Sequence, residues 1–129
     1  MINAPLAGRL GWAVWEYDFA KHGGAASTIA IDPKLLPAGA IIMDGICHVK
    51  VAPVGSGATV AFQALAAGDI MDTTAITALT LNALLDINPI GTAATMIRCT
   101  AATQLSIVIA SAALTAGKIA IGIRWGLTN

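Results

Sequence analysis

Hydrophobic and polar residues alternate with a period of two along most of the chain, the spacing that sends successive side chains to opposite faces of a β-strand. The clearest case lies near the C-terminus. There Ile119, Ile121, Ile123 and Trp125 face one way, and Lys118, Ala120, Gly122 and Arg124 the other. Upstream, Leu105, Ile107 and Ile109 alternate with Gln104, Ser106 and Val108, and the intervening stretch ends in Ala116-Gly117, where glycine supplies turn conformations. These two strands are expected to form an antiparallel hairpin.

A third strand is predicted over residues 40–51, with Ile41, Met43, Cys47, Val49 and Val51 on one face. Asp44, His48 and Lys50, together with Ile42 and Ile46, take the other. The turn Leu36-Pro37-Ala38-Gly39 introduces it, and Pro53 with Gly55-Ser56-Gly57 ends it, leading as a hairpin loop into a strand over 58–65 with Val60 and Phe62 inward. Three weaker strands follow the same pattern. The first covers 14–19, setting Trp15, Tyr17 and Phe19 against Glu16 and Asp18. The second covers 27–31, around Ile29 and Ile31, and the third covers 94–100, around Ile97 and Cys99. His22-Gly23-Gly24 reads as a turn between the first two. Residues 69–88 are ambiguous, because Leu81, Leu84 and Leu85 sit at helical spacing while Thr74, Ile76, Thr77 and Thr80 are β-branched. Loop or short helix is the first expectation there, and strand the second. Seven strands separated by turn chemistry predict an all-β fold, an antiparallel β-sandwich of jelly-roll-like form. Residues 1–11 lack any period and read as an N-terminal arm, leaving 12–129 as one sandwich domain.

Composition narrows the function classes. The chain has 129 residues, of which 57% are hydrophobic and 11% charged, with seven basic and seven acidic side chains. An average soluble domain carries about 25% charge. Alanine contributes 27 residues, so the interior is built from small pieces. High hydrophobicity with zero net charge excludes intrinsic disorder, and scattered Lys and Arg argue against nucleic-acid binding. Mean hydropathy is +0.77. Even so, the charge-free windows 51–68 and 99–117 are interrupted by Pro, Gly, Gln, Ser and Thr, so no membrane partner is expected. The N-terminus shows no secretory pattern. Cys47 and Cys99 then read as buried free thiols of a reducing compartment, a single inter-strand disulfide being the alternative. A surface with so little charge is expected to be covered in part by copies of the chain or by a partner.

Candidate chemistry is sparse. Gly55-Ser56-Gly57 lacks the Lys and following helix of a phosphate loop and the spacing of a nucleophile elbow. Cys47 and His48 are adjacent, so on a strand they point apart and cannot share an ion or act as a dyad. Asp69, Asp72 and Asp86 lack the terminal Glu of a calcium loop, since Glu16 is the only Glu, and they read as caps and turns. No catalytic, cofactor or metal residues are assigned, and no enzyme activity is expected. Trp12, Trp15, Tyr17 and Phe19 read as core or as interface anchors ahead of a stacking site for sugars or bases. The candidate interface residues are Ile2, Leu6, Arg9, Leu10 and Trp12 near the N-terminus, with the outward Met96 and Val108.

Three of these features resemble the small β-sandwich structural proteins of tailed bacteriophages, in particular capsid decoration or cement proteins. They are the Leu36-Pro37-Ala38-Gly39 turn feeding the strand over 40–51, the Gly-containing connection into 58–65, and the terminal strands joined through Leu114-Thr115-Ala116-Gly117-Lys118. The likeness spans residues 27–125. It implies a homo-oligomer, a trimer, bound to the major capsid protein on the outer surface of a virion assembled in the host cytoplasm. Two other classes stay open. One is a different phage part, such as a head-fibre base, a tail protein or a receptor- or glycan-binding module. The other is a small enzyme or ligand-binding β-barrel, which would need polar groups such as Asp44, His48 and Lys50 to converge in a pocket.

Overall fold

Two four-stranded antiparallel sheets stack face to face in the computed structural model, which describes residues 9–66, 68–87 and 97–127. The strands are β1 (Arg9–Asp18), β2 (Thr28–Leu36), β3 (Ile41–Val54), β4 (Thr59–Gln63), β5 (Met71–Ala75), β6 (Leu84–Ile87), β7 (Thr103–Ala110) and β8 (Ala116–Leu127). One sheet, here sheet A, has the order β1-β8-β3-β6, and the other, sheet B, has β2-β7-β4-β5. The fold is an all-β sandwich, as the period-two pattern predicts. Its pairings nest: β1 with β8, β2 with β7, β3 with β6 and β4 with β5.

The core fills the space between the sheets with alternate residues of each strand. Sheet A contributes Trp15, Tyr17, Ile42, Cys47, Val49, Ile119, Ile121 and Ile123; sheet B contributes Ile31, Leu36, Val60, Phe62, Leu105, Ile107 and Ile109. All are buried, and among the described residues no polar or charged side chain is buried with them. Each fully buried Ile or Leu contributes about 1.5–3 kcal/mol. Trp15 satisfies its indole N–H on the Lys34 carbonyl at 2.9 Å, and Tyr17 donates its hydroxyl to the Gly23 carbonyl at 2.6 Å, so both aromatics bury their rings without orphaning a donor.

Several expectations are corrected. β7 and β8 are not a hairpin, and neither are β3 and β4, because each pair is divided between the two sheets. Alternation identifies which side chains face inward. It does not distinguish a strand's hydrogen-bonded neighbour from the strand facing it across the core, and Leu105, Ile107 and Ile109 meet the Ile119–Ile121–Ile123 row in the second way. Gly55-Ser56-Gly57 is therefore a corner between sheets.

In β3 the expected parity fails at both ends. Register irregularities against β8 between Ile42 and Asp44, and again between Val49 and Val51, add residues to β3. Ile42 is thereby turned inward, and Met43 and Val51 outward. Residues 69–87 contain β5, a 3₁₀ turn at Ile76–Ala78 and β6, and of the leucines at helical spacing Leu84 and Leu85 lie in β6 and Leu81 in the turn before it. Phe19 leaves the predicted strand to start a four-residue helix, α1 (Phe19–His22), whose N-terminus Asp18 caps by accepting from the Ala20 N–H. β2 continues past Ile31 to Leu36, with an irregularity at Asp32, which has φ +53°. Of the strand expected over 94–100, residues 94–96 lie outside the described residues, and Arg98 forms a single bridge to Ile41. β1 begins at Arg9, within the segment expected as an arm, while residues 1–8 lie outside the described residues.

Two outcomes follow from this packing. A Cβ at Gly45 would sit 2.1 Å from the Gly122 carbonyl oxygen of the neighbouring strand, which is backbone and cannot swing away. Gly45→Ala is expected to destabilise the fold by about 1–3 kcal/mol, read by thermal or chemical denaturation. Burial pushes the Cys47 thiol up to about 11 from the ordinary 9.0. The folded state thus disfavours the thiolate. Stability from this site is full below pH 9 and is lost as the pH rises through about 11, and Cys47→Ala is expected to flatten that alkaline decline in denaturation midpoints.

Candidate functional site

The outer face of sheet A combines small residues in its centre with large apolar ones around them. The ladders align Val14, Gly122, Ile46 and Asp86 in one row across the four strands, and Glu16, Ala120, His48 and Leu84 in the next. Gly122 and Ala120 give β8 almost no outward side chain, which leaves a hollow of about 220 Å³ above them. Trp12, Val14, Ile46, His48 and Lys50 wall it. The Trp12 indole lies across Gly122, where a Cβ would come within 2.5 Å of the ring. A large flat aromatic over a glycine in the next strand restores the packing that the glycine gives up.

Apolar exposure on this face is high for a chain so poor in charge. Leu10 and Leu84 are 70% exposed, Trp12 53% and Ile46 45%. The charges of the face are arranged around these residues and are largely neutralised within the chain. Arg124 binds Asp44 through two hydrogen bonds of 3.0 and 2.6 Å, Lys50 meets Glu16 at 2.7 Å, and Lys118 lies 3.8 Å from Asp18. Solvent-exposed pairs of this kind each contribute roughly 0–1 kcal/mol to stability. Their larger consequence is a face without a strong field of either sign.

The residues singled out from sequence divide between this face and elsewhere. Leu10 and Trp12 stand on it together. Val108 does not join them, being a half-buried residue of β7 in sheet B, opposite Thr28 and Ala61. Ile2, Leu6 and Met96 lie outside the described residues, as does the side chain of Arg9, whose backbone opens β1. Ile46, Leu84 and Gly122 were missed. Ile46 already stood on the polar side of its strand in the sequence pattern, an apolar residue among Asp44, His48 and Lys50, and that mismatch was the available signal.

His48 and Lys50 line the hollow, but Asp44 is turned to Arg124 instead. Cys47 and Cys99 are buried free thiols, and burial raises both thiol pKa values, away from nucleophilic reactivity. His22 accepts the Asp18 N–H on Nδ1 at 3.0 Å, closing the end of β1. Asp69 accepts from the N–H groups of Ala64, Leu65 and Ala66, the loop-capping role expected of it. Among the described residues no group of three His, Cys, Asp or Glu side chains is placed to hold a metal, and no helix is long and apolar enough to cross a membrane.

No protein-family model matches the sequence, and no curated protein matches it. The fold does match solved structures. A chain of the cyanophage Pam1 capsid asymmetric unit superposes with a TM-score of 0.66 at 14% identity, over 98% of this chain and 91% of that one. A chain of the acid-stable capsid of Helicobacter pylori bacteriophage KHP30 superposes with a TM-score of 0.61, also at 14% identity, over 93% and 89%. Coverage this nearly complete in both directions means that the matched chains are of similar size, and that the whole sandwich, not a fragment of it, is what the chains share.

Proposed function

We propose that this chain is a non-enzymatic structural subunit of a bacteriophage virion, a decoration or cement protein on the outer surface of the capsid. The observation that carries the reading is the end-to-end match of the whole sandwich to chains of two phage capsids. The nested strand pairing supports the jelly-roll-like form of that sandwich. The outer face of sheet A supports a mechanism. Ile46, Leu84 and the hollow over Gly122 form a nearly neutral apolar surface, suited to close packing against another protein rather than to steering a charged ligand. Docked across neighbouring major capsid subunits, such a surface contributes about 25 cal/mol per Å² of apolar area removed from water, repeated at every site of the shell. The resemblance further implies assembly onto heads in the host cytoplasm.

A second reading, a glycan-binding module of the virion, is favoured by one feature, the half-exposed indole of Trp12 beside the hollow. A ligand-binding barrel has less support, because the space between the sheets is filled by the core.

Co-sedimentation with empty phage heads assembled without this chain tests the proposal. Saturable binding is expected, and Ile46→Lys combined with Leu84→Asp is expected to weaken it at least about tenfold while leaving the circular dichroism spectrum unchanged. Absence of binding overturns the decoration role. Binding unaffected by the double substitution removes sheet A from it. Quenching of Trp12 fluorescence by oligosaccharides, without binding to heads, would establish the second reading instead.

A further inference from the structure

We infer that two copies of this chain join through the first half of β1, antiparallel about a two-fold axis, so that sheet A of one copy continues into sheet A of the other. The sandwich has four edge strands, β1 and β6 in sheet A and β2 and β5 in sheet B. An unpaired edge presents a row of N–H and C=O groups that another strand can satisfy, and proteins blunt such edges. Three are blunted here. β5 and β6 have only five and four residues, and β2 is broken by Pro33 and by the positive φ of Asp32. β1 is different, with ten residues and no proline.

The two halves of the β1 edge differ. In an antiparallel pair, residues whose main-chain groups face the partner alternate with residues whose groups face away. The Val14 carbonyl accepts from Lys34 Nζ, and the Asp18 N–H donates to His22, so the even-numbered residues of β1 point away from β8, toward the free side. From Val14 onward that side is occupied by Lys34 of β2 and by α1. Leu10 and Trp12 have the same orientation, and their N–H and C=O groups have no partner among the described residues.

A second β1 fits this stretch about a centre at Gly11. Leu10 then lies opposite Trp12 of the other copy, and Trp12 opposite its Leu10. Each pair exchanges two main-chain hydrogen bonds, four in all. The side chains of these pairs are the most exposed apolar residues of β1, at 70% and 53%, and the register places Leu against Trp twice on the outer face. Arg9 falls opposite Ala13 in this register. Gly11 faces its own copy at the centre, where its lack of a side chain permits close approach. The contact is smaller than a standard interface, so the pair is expected to dissociate on dilution at roughly micromolar concentration. It builds a dimer in place of the trimer that the resemblance implies.

Sedimentation equilibrium or light scattering across about 1 μM to about 1 mM reads this directly. The expected result is a shift from one chain mass to two and no higher. Leu10→Pro removes an edge-facing N–H without touching the ladder to β8, and is expected to raise the dissociation constant about tenfold or more, as is Trp12→Lys, which puts a charge on the edge. Hydrogen exchange supplies a readout that needs no variant: the amides of Leu10 and Trp12 are expected to be protected at high concentration and to exchange freely on dilution. A monomer at about 1 mM, a stable trimer, or fast exchange at these two amides in a concentrated sample overturns the proposal.

Discussion

The central position of β8 is the constraint on which the rest of the structure depends. It is hydrogen-bonded to β1 on one side and β3 on the other, and it is the strand that ties the N-terminal and middle parts of the chain into one sheet. Its inward row, Ile119, Ile121 and Ile123, is wholly buried and supplies the middle of the core. The middle of its outward row, Ala120 and Gly122 between Lys118 and Arg124, is almost without side chains. The same twelve residues therefore fill the interior and hollow the exterior. The two properties are coupled by the pleat, since a one-residue slip in register would exchange them.

Glycine placement makes that coupling rigid. Gly45 of β3 lies against the Gly122 carbonyl on the inner side, and Trp12 of β1 lies against Gly122 itself on the outer side. Both approaches need the absence of a Cβ. The second of them lets the Trp12 indole lie over β8 at the edge of the surface hollow. An alanine-rich chain with few charges has limited means of shaping a surface. Here the shape comes from what is left out along β8, and the few charges are spent in cross-strand pairs, Glu16 with Lys50 across β8 and Asp44 of β3 with Arg124 of β8 itself.

Much of this was legible in the sequence. The inward rows of β1, β4, β7 and β8 follow directly from alternation, as do the all-β class and the turn at Leu36-Pro37-Ala38-Gly39, where Gly39 takes φ +86°. The pairing of strands was not legible, because a sandwich sets two inward rows face to face across its core with the same periodicity that a hairpin sets side by side. The outer face was hidden for a different reason. It depends on which strands flank β8, which alternation does not reveal, and on Leu84, whose spacing with Leu81 and Leu85 fits a helix turn. Ile46 and Gly122 acquire meaning only once the ladder places them side by side.

The balance of the surface then argues for what kind of contact it serves. A site for a small charged molecule concentrates unpaired polar groups at the bottom of a concave pocket, where low dielectric strengthens each one. This face does the opposite. Most of its charged side chains are exposed and paired, His48 and Lys50 reach the hollow from one side, and the floor over Ala120 and Gly122 is apolar and shallow. Such an arrangement gains little from a single small ligand. It gains steadily with the area of whatever covers it, because each additional apolar contact removes more surface from water while the ion pairs at the margin stay solvated. A protein surface of matching flatness covers it best. On the proposed decoration role, the same modest contact recurs at every equivalent position of a shell, and its contribution is multiplied by the symmetry of the assembly rather than by the strength of any one site.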